Sequence, residues 1–153
     1  MAWGITLASF GVSESTNNMI LGNTLTSLNY SSPIHIQGRC SYNSIQNNTI
    51  SECTFAVNGG IIFLNDGTEN NRVSNNHLSN NSGIGIWLAT GSNNTIGPNN
   101  TSNENGWGFY FSAPTSHNNV FNNTALDNTV CDIVNLGTNN TFSRNTANCT
   151  QGL

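Results

Sequence analysis

The sequence contains no lysine, and its only strong cations are three arginines, Arg39, Arg72 and Arg144. Charged residues make up only 7% of the 153 residues, whereas about a quarter is usual in soluble domains. Proteins that bind nucleic acid neutralise phosphates with clustered lysine and arginine. The composition therefore excludes a nucleic-acid partner.

Long apolar runs are also absent. No stretch approaches the roughly 20 apolar residues that span a bilayer, and residues 1–10 lack the basic start and apolar run of a signal peptide. We therefore expect no transmembrane segment. The length predicts one domain, residues 1–153, which either stands alone or is a module of a longer stack.

Asparagine is what the sequence has in excess, at about one residue in five. A motif, Asn-x-apolar-x-x-Asn-x-apolar, recurs six times at intervals of 22 to 28 residues, with its two asparagines five apart. A constant unit with a variable outer period indicates a structural repeat with loops of different length. The asparagine pairs are Asn18 and Asn23, Asn43 and Asn48, Asn71 and Asn76, Asn94 and Asn99, Asn118 and Asn123, and Asn140 and Asn145.

A short alternating segment precedes each copy. Alternation places the flanking residues on one face of a strand and the middle residue on the other. With the motif, each repeat therefore holds three short strands separated by corners. The segments are Ile5-Thr6-Leu7, Ile34-His35-Ile36, Ile62-Phe63-Leu64, Ile86-Trp87-Leu88, Phe109-Tyr110-Phe111 and Ile133-Val134-Asn135.

One such repeat cannot bury its apolar side chains alone. Repeats stacked at ~4.8 Å per coil pair every strand with its neighbours and form a continuous interior. Asparagine suits the corners, because it tolerates left-handed backbone angles and its side chains can bond from coil to coil. The sequence therefore predicts an all-β, single-stranded parallel β-helix of about six coils, with inward aliphatic columns.

The segment Gly85-Ile86-Trp87-Leu88, followed by Asn93-Asn94-Thr95-Ile96, resembles the repeats of the NosD-like right-handed parallel β-helix family. That family belongs with the carbohydrate-binding and sugar-hydrolase β-helices, and the resemblance covers nearly the whole chain. It implies a right-handed coil. It implies function only weakly, because family members include pectinases, epimerases, surface proteins and periplasmic proteins of copper-enzyme assembly.

Carboxylates show no catalytic arrangement. Glycoside hydrolysis needs two carboxyl groups about 5 to 10 Å apart on one face. Asp66 and Glu69 fall in one loop near Arg72, which is more typical of a solvated turn, and Glu52 and Asp127 lie three coils apart. With no evident nucleophile either, the sequence leans towards a protein that is not an enzyme.

The three histidines occupy different repeat positions. His35 lies in a strand, His77 at a corner and His117 in a loop, so none provides the close ligand spacing of a zinc or copper site. We therefore expect no metal and no cofactor.

Four cysteines form no Cys-x-x-Cys motif. Cys40 and Cys53 fall within about one coil, as do Cys131 and Cys149, and each pair could form a local disulfide. Three connectivities are possible, and four free buried thiols are the alternative. Disulfides would indicate an extracellular or cell-surface location.

An outward aromatic stripe is predicted on the alternating strands, because stacking would set their middle residues one above another. Exposed aromatic side chains usually have a partner. The stripe could contact sugar rings, a neighbouring subunit, or the segment 51–60 of the same chain. Its residues are His35, Phe63, Trp87 and Tyr110, between Thr6 and Val134.

Threonine follows the second asparagine in most copies, with interruptions at His77 and Asn100. Regular threonine arrays can bind ice, so an ice-binding solenoid is a minor alternative. The threonines are Thr24, Thr49, Thr124 and Thr146.

The sequence favours a non-catalytic extracellular structural solenoid that associates with itself, head to tail or laterally, as a filament or surface-layer module. Carbohydrate contact through the aromatic stripe, for binding or for polysaccharide processing, is the alternative. Frequent Asn-X-Ser/Thr acceptors are compatible with a glycoprotein, but many arise by chance in a chain of this composition.

Overall fold

The computed structural model describes residues 4–29, 31–54 and 59–153, and every helix or strand among them is a short β-strand. The strands stack in three parallel sheets that run the length of the molecule. All pairings join equivalent segments of successive repeats, so the chain is a parallel β-solenoid with three strands per coil. The predicted fold class is confirmed.

Sheet 1 has seven strands and contains the alternating segments. Its register is the predicted one, with Ile34 opposite Ile62, which lies opposite Ile86. The strands are, in order, β1 (Ile5–Ala8), β5 (Ile34–Gln37), β9 (Gly60–Asn65), β12 (Ile84–Leu88), β16 (Trp107–Phe111), β20 (Cys131–Asn135) and β23 (Thr150–Gln151).

Sheets 2 and 3 have six strands each and arise from the two halves of the asparagine motif. Sheet 2 contains β3 (Met19–Leu21), β7 (Ser44–Gln46), β10 (Arg72–Ser74), β14 (Thr95–Ile96), β18 (Asn119–Phe121) and β21 (Thr141–Ser143). Sheet 3 contains β4 (Thr24–Thr26), β8 (Thr49–Ser51), β11 (His77–Ser79), β15 (Thr101–Asn103), β19 (Thr124–Ala125) and β22 (Thr146–Ala147).

Two short strand pairs lie between sheets 1 and 2. They are β2 (Ser15–Thr16) with β6 (Cys40–Ser41), and β13 (Gly91–Ser92) with β17 (Thr115–Ser116).

The core lies inside the three sheets and is aliphatic, with Phe109 and Phe111 as its largest fully buried side chains. Inward columns of β-branched and leucine side chains fill it because each coil places equivalent residues above one another. Aliphatic side chains of all three sheets are fully buried there, among them Ile34, Ile36, Ile45, Ile50, Ile62, Leu64, Ile86, Leu88 and Ile96.

Asparagine side chains form ladders along the corners of the coil, and two of these ladders contain the motif asparagines. Asn71 is typical: its Oδ1 accepts from the backbone N–H of Asn43 at 2.9 Å, and its Nδ2 donates to Asn94 Oδ1 at 3.1 Å. Its Nδ2 also donates to the carbonyl of Cys40, at 2.9 Å. Each ladder residue therefore satisfies buried main-chain groups as well as its own amide.

The ladder residue is not the residue with left-handed backbone angles. That conformation belongs to the position before it, as at Asn47 (φ 54°) before Asn48 and Asn93 (φ 57°) before Asn94. The expectation that the motif asparagines themselves adopt left-handed angles is therefore wrong. In the Asn-Asn-Thr triplets, the first asparagine is an exposed corner residue with left-handed backbone angles, the second is the ladder residue, and the threonine begins a strand. The fold therefore explains why this glycosylation acceptor motif recurs.

One predicted ladder position is wrong. Asn99 is exposed with φ 61°, and Asn100 is fully buried and takes the ladder position, donating to Asn123 Oδ1 at 3.0 Å. The corner of this copy contains one more residue than the others, because Gly97, Pro98 and Asn99 stand where two residues stand elsewhere. The asparagine spacing here is six rather than five.

The same shift alters the threonine column of sheet 3. Thr101 lies opposite both His77 and Thr124, so His77 is the interruption and Asn100 is not part of the column. The column in register is Thr24, Thr49, His77, Thr101, Thr124 and Thr146.

The cysteines behave in two different ways. Cys131 and Cys149 are joined by a disulfide, which confirms that local pairing. The other predicted pairing is wrong: Cys40 and Cys53 are both free and buried. They lie at different corners, since Cys40 precedes sheet 2 and Cys53 follows sheet 3.

Candidate functional site

An aromatic column runs along the outer face of sheet 1. His35 lies opposite Phe63, Phe63 opposite Trp87, and Trp87 opposite Tyr110. Thr6 lies below His35, and Val134 lies above Tyr110. The structure therefore brings together all four residues of the predicted stripe, at consecutive coils.

The lower part of the column is a stack of rings. The centroids of His35 and Phe63 are 4.9 Å apart with an interplanar angle of 17°, and those of Phe63 and Trp87 are 4.6 Å apart at 30°. Ring faces in this part are directed at one another. His35 is buried, and Phe63 and Trp87 are half-buried, so the stack presents mainly ring edges to solvent.

Burial lowers the pKa of His35, although the nearby Asp66 carboxylate opposes that shift. The imidazole is therefore neutral at neutral pH. A neutral ring packs against Phe63 without bringing a buried charge into the stack.

The stacking ends between Trp87 and Tyr110. These two rings are perpendicular, at 90° and a centroid distance of 6.4 Å, and Trp107 meets Tyr110 at 78° and 6.5 Å. A groove of about 180 Å³ opens at this place. We call it the aromatic groove, and it is lined by Ile84, Trp87, Trp107, Tyr110 and Ser112.

Ser112 fixes one wall of the aromatic groove. Its Oγ accepts a hydrogen bond from the indole Nε1 of Trp87 at 3.0 Å, which joins neighbouring coils. A half-buried indole N–H that is paired in this way holds one orientation. The aromatic groove is therefore formed by oriented side chains before any ligand arrives.

A family model described as a right-handed beta helix region matches residues 4–147. The chain belongs to the right-handed β-helix family. No significant match was found among curated proteins or among solved structures.

Three residues of the aromatic groove, Ile84, Trp107 and Ser112, are not in the predicted stripe. The sequence pattern predicts that this alternating segment begins at Phe109, whereas β16 begins at Trp107, so Trp107 is missing from the predicted stripe. Ser112 follows that strand. A tryptophan within three residues of an outward tyrosine was the available signal for an aromatic cluster.

A second hollow of the β-helix lies at the other end of the column, about 430 Å³ in volume beside His35. It is lined by Gly4, Thr6, Ala8, Phe10, His35 and Gln37. Phe10 is 75% exposed, so this hollow is open on one side. The proposed cover of the stripe by segment 51–60 includes residues 55–58, which lie outside the described residues.

No acidic side chain is among the residues that line the aromatic groove. Asp66 accepts from Gln37 Nε2 at 2.7 Å, and Glu69 accepts from Ser92 Oγ at 3.1 Å. A polar hollow of about 290 Å³ beside them is lined by Glu14, Arg39, Cys40, Ser41, Gly67 and Glu69. Asp66 and Glu69 thus bond to neutral side chains, as carboxylates in solvated turns do.

Metal-binding geometry is not found in the part of the β-helix that the structure describes, where no three His, Cys, Asp or Glu side chains converge. His77 contacts Thr101 Oγ1 at 2.5 Å, and His117 contacts Asn139 at 3.4 Å, on different parts of the surface. Within the same described ranges, no helix is long and apolar enough to cross a membrane.

Proposed function

We propose that this right-handed β-helix is a non-catalytic scaffold that contacts carbohydrate through the aromatic groove. The observation that carries the proposal is the break in the ring stack, where Trp87, Trp107 and Tyr110 surround an open groove. Elsewhere on sheet 1 the rings cover one another.

Sugar rings suit such a surface. Ligand sites are concave and mostly apolar, with a few polar groups that set orientation. Indole and phenol rings offer apolar faces for the C–H groups of a pyranose. The hydroxyls of Tyr110 and Ser112 supply hydrogen-bonding groups at the wall.

The groove lacks the groups that would cut a glycan. Hydrolysis requires a carboxylic acid and a second carboxylate about 5 to 10 Å apart. None of the five residues that line the aromatic groove is acidic. We therefore propose binding without turnover.

An extracellular or cell-surface location fits this role. The Cys131–Cys149 disulfide supports it, because such bonds persist mainly in oxidising compartments. We also propose that its repeats are of the NosD-like type, which Gly85-Ile86-Trp87-Leu88 followed by Asn93-Asn94-Thr95-Ile96 supports.

The test is a titration of the purified protein with a panel of neutral and acidic sugars, followed by tryptophan fluorescence and calorimetry. We expect weak, saturable binding of at least one sugar, and Trp107→Ala should weaken it more than tenfold. Tyr42→Asn is the matched control, because Tyr42 is an exposed aromatic residue at a distant corner where other coils have asparagine. No binding by the wild type, or equal binding by Trp107→Ala, would refute the proposal.

Head-to-tail association is a second candidate, supported by the polarity of the asparagine ladders. Each ladder Oδ1 accepts from the preceding coil, whereas the ladder residue's backbone N–H donates to the following coil, as from Asn118 to Asn140. The first coil of the chain therefore presents acceptors at Asn18 and Asn23, and the last presents backbone donors at Asn140 and Asn145. These ends are complementary between copies.

Sedimentation at increasing protein concentration tests this candidate. Thr146 N–H already donates to Asn123 within the chain, so the N–H of the next residue, Ala147, faces away from the stack. Ala147→Pro should remove that donor and reduce association. Val134 is unsuitable for such a test, because β23 covers its strand. A wild type that stays monomeric throughout would refute association.

A further inference from the structure

The ring stack limits what the aromatic groove can bind. Along His35, Phe63 and Trp87, centroid distances of 4.6–4.9 Å leave no space between ring faces. A glycan lying along this part of sheet 1 would meet only ring edges. The column is therefore not a continuous platform on which successive sugar rings could stack.

Tyr110 is different, because it lies one coil beyond Trp87 and perpendicular to it. The next residue of the column in that direction is Val134, which has no ring and is itself buried. The stack of parallel rings therefore ends at Tyr110, and the aromatic groove lies at that end, between two neighbouring coils.

The volume of the groove gives a similar limit. Pockets for drug-sized ligands measure about 300–1,000 Å³. The aromatic groove measures about 180 Å³, which accommodates a single sugar ring.

Charge restricts the ligand further. A carboxylate that enters an apolar groove without a cationic partner loses its hydration without compensation. Arg39 lines the separate polar hollow, Arg72 lies in sheet 2, and Arg144 occupies a corner beyond β21. Every arginine of the chain is thus on another part of the surface.

We propose that the aromatic groove recognises one uncharged sugar residue, and that it discriminates against uronic acids and other anionic sugars. This inference rests on the proposed function and specifies its ligand. Recognition takes place within two neighbouring coils, so the length of the glycan beyond the bound residue contributes little.

Two series of ligands test the proposal on the full chain. The first compares glucose, galactose, mannose and N-acetylglucosamine with glucuronate and galacturonate. The second compares the best neutral monosaccharide with its own oligomers of two to six units. Binding is measured by calorimetry at fixed ionic strength.

We expect each uronate to bind at least tenfold more weakly than its neutral counterpart. Along the oligomer series, we expect the affinity, corrected for the number of glycan ends that can bind, to change less than threefold. Equal or tighter uronate binding, or an affinity that rises more than tenfold with length, would overturn this inference and leave carbohydrate binding intact. Failure of every sugar to bind would instead refute the proposed function itself.

Discussion

The interior coils and the final coil of this β-helix are held in different ways. In the interior, Asn48, Asn76 and Asn100 are almost completely buried and bond to the coils on both sides. In the final coil, Asn145 is only partly buried, and β23 is exposed. Interior coils depend on two neighbours, and the last coil of the chain has one.

The final coil contains two stabilising interactions, a disulfide and a buried carboxylate, that the described residues of the interior coils lack. Cys131 is bonded to Cys149, and Asp132, between β20 residues that face the core, is 2% exposed. Its Oδ1 accepts from the backbone N–H and Nδ2 of Asn128, at 3.2 and 2.7 Å. Its Oδ2 accepts from the N–H groups of Asn148 and Cys149, at 2.9 and 3.0 Å.

The final coil is stacked on one face, and these two interactions add to the stability that its single neighbour provides. In repeat proteins, stability is approximately a sum of terms within repeats and terms between nearest neighbours. A coil with one neighbour lacks part of the second term. Here a covalent bond and a carboxylate with four donors compensate for it.

The largest expected effect is that of a core cavity in an interior coil. Ile86 is fully buried between Ile62 and Phe109. Ile86→Ala should reduce the free energy of unfolding by about 2–5 kcal/mol, measured by chemical denaturation. Leu136→Ala, at a side chain that is 52% exposed, is the control and should change it by less than about 0.5 kcal/mol. A loss below that value at Ile86 would mean that the register of sheet 1 is wrong.

The next largest effect is the loss of stability when the disulfide is reduced. The Cys131–Cys149 bond closes a loop with a sequence separation of 18, for which chain entropy predicts a contribution of about 3 kcal/mol. Reduction should therefore increase hydrogen exchange in β20 and β23 and leave β9 and β12 protected. Mass spectrometry of unreduced peptides would show the link itself. Free alkylatable thiols at both positions would contradict it.

The ladders permit a direct comparison of interior and terminal coils. Asn76→Ala removes bonds to Asn48, Asn100 and Ile45 in a buried site, and should cost about 1–3 kcal/mol. Asn145→Ala should cost less than about 1 kcal/mol, because water can reach the groups it leaves. Equal losses in urea denaturation would show that interior and terminal positions of the ladder are equivalent.

Much of this fold was predictable, because inward columns and strand registers follow from alternation and repeat spacing alone. The ladder position at Asn99 was not, since spacing cannot distinguish it from Asn100 when a corner gains a residue. A third ladder, formed by Asn81, Asn105 and Asn128, was also missed. In three copies another asparagine stands five residues after the second ladder asparagine, and this spacing was the available signal.

The candidate site was predicted only in part, for a related reason. Alternation places Trp87 and Tyr110 in one column, and the structure confirms that placement. It does not indicate ring orientation, which depends on side-chain packing between coils. The groove exists because Tyr110 turns perpendicular to its neighbours, and that turn has no signature in the repeat.

The smallest expected effect is the pH dependence of the stability that the Asp132 carboxylate gives to the final coil. Burial by itself raises the pKa of Asp132, but hydrogen bonds from Asn128, Asn148 and Cys149 outweigh it and hold the pKa below its ordinary value of 3.8. A carboxyl whose pKa is lower in the folded state stabilises that state above its unfolded pKa. This contribution is therefore complete at neutral pH and disappears as the pH falls below about 4.

Asp132→Asn isolates this term, since an amide cannot accept from all four donors. At pH 7 the variant should exchange the amide hydrogens of Asn148 and Cys149 faster than the wild type. As the pH falls below 4 the two proteins should converge, after correction for the intrinsic exchange rate. Interior amides such as that of Asn76 serve as the internal reference, because no carboxylate bonds to them. A difference that persists unchanged in acid would show that Asp132 acts through packing rather than through its charge.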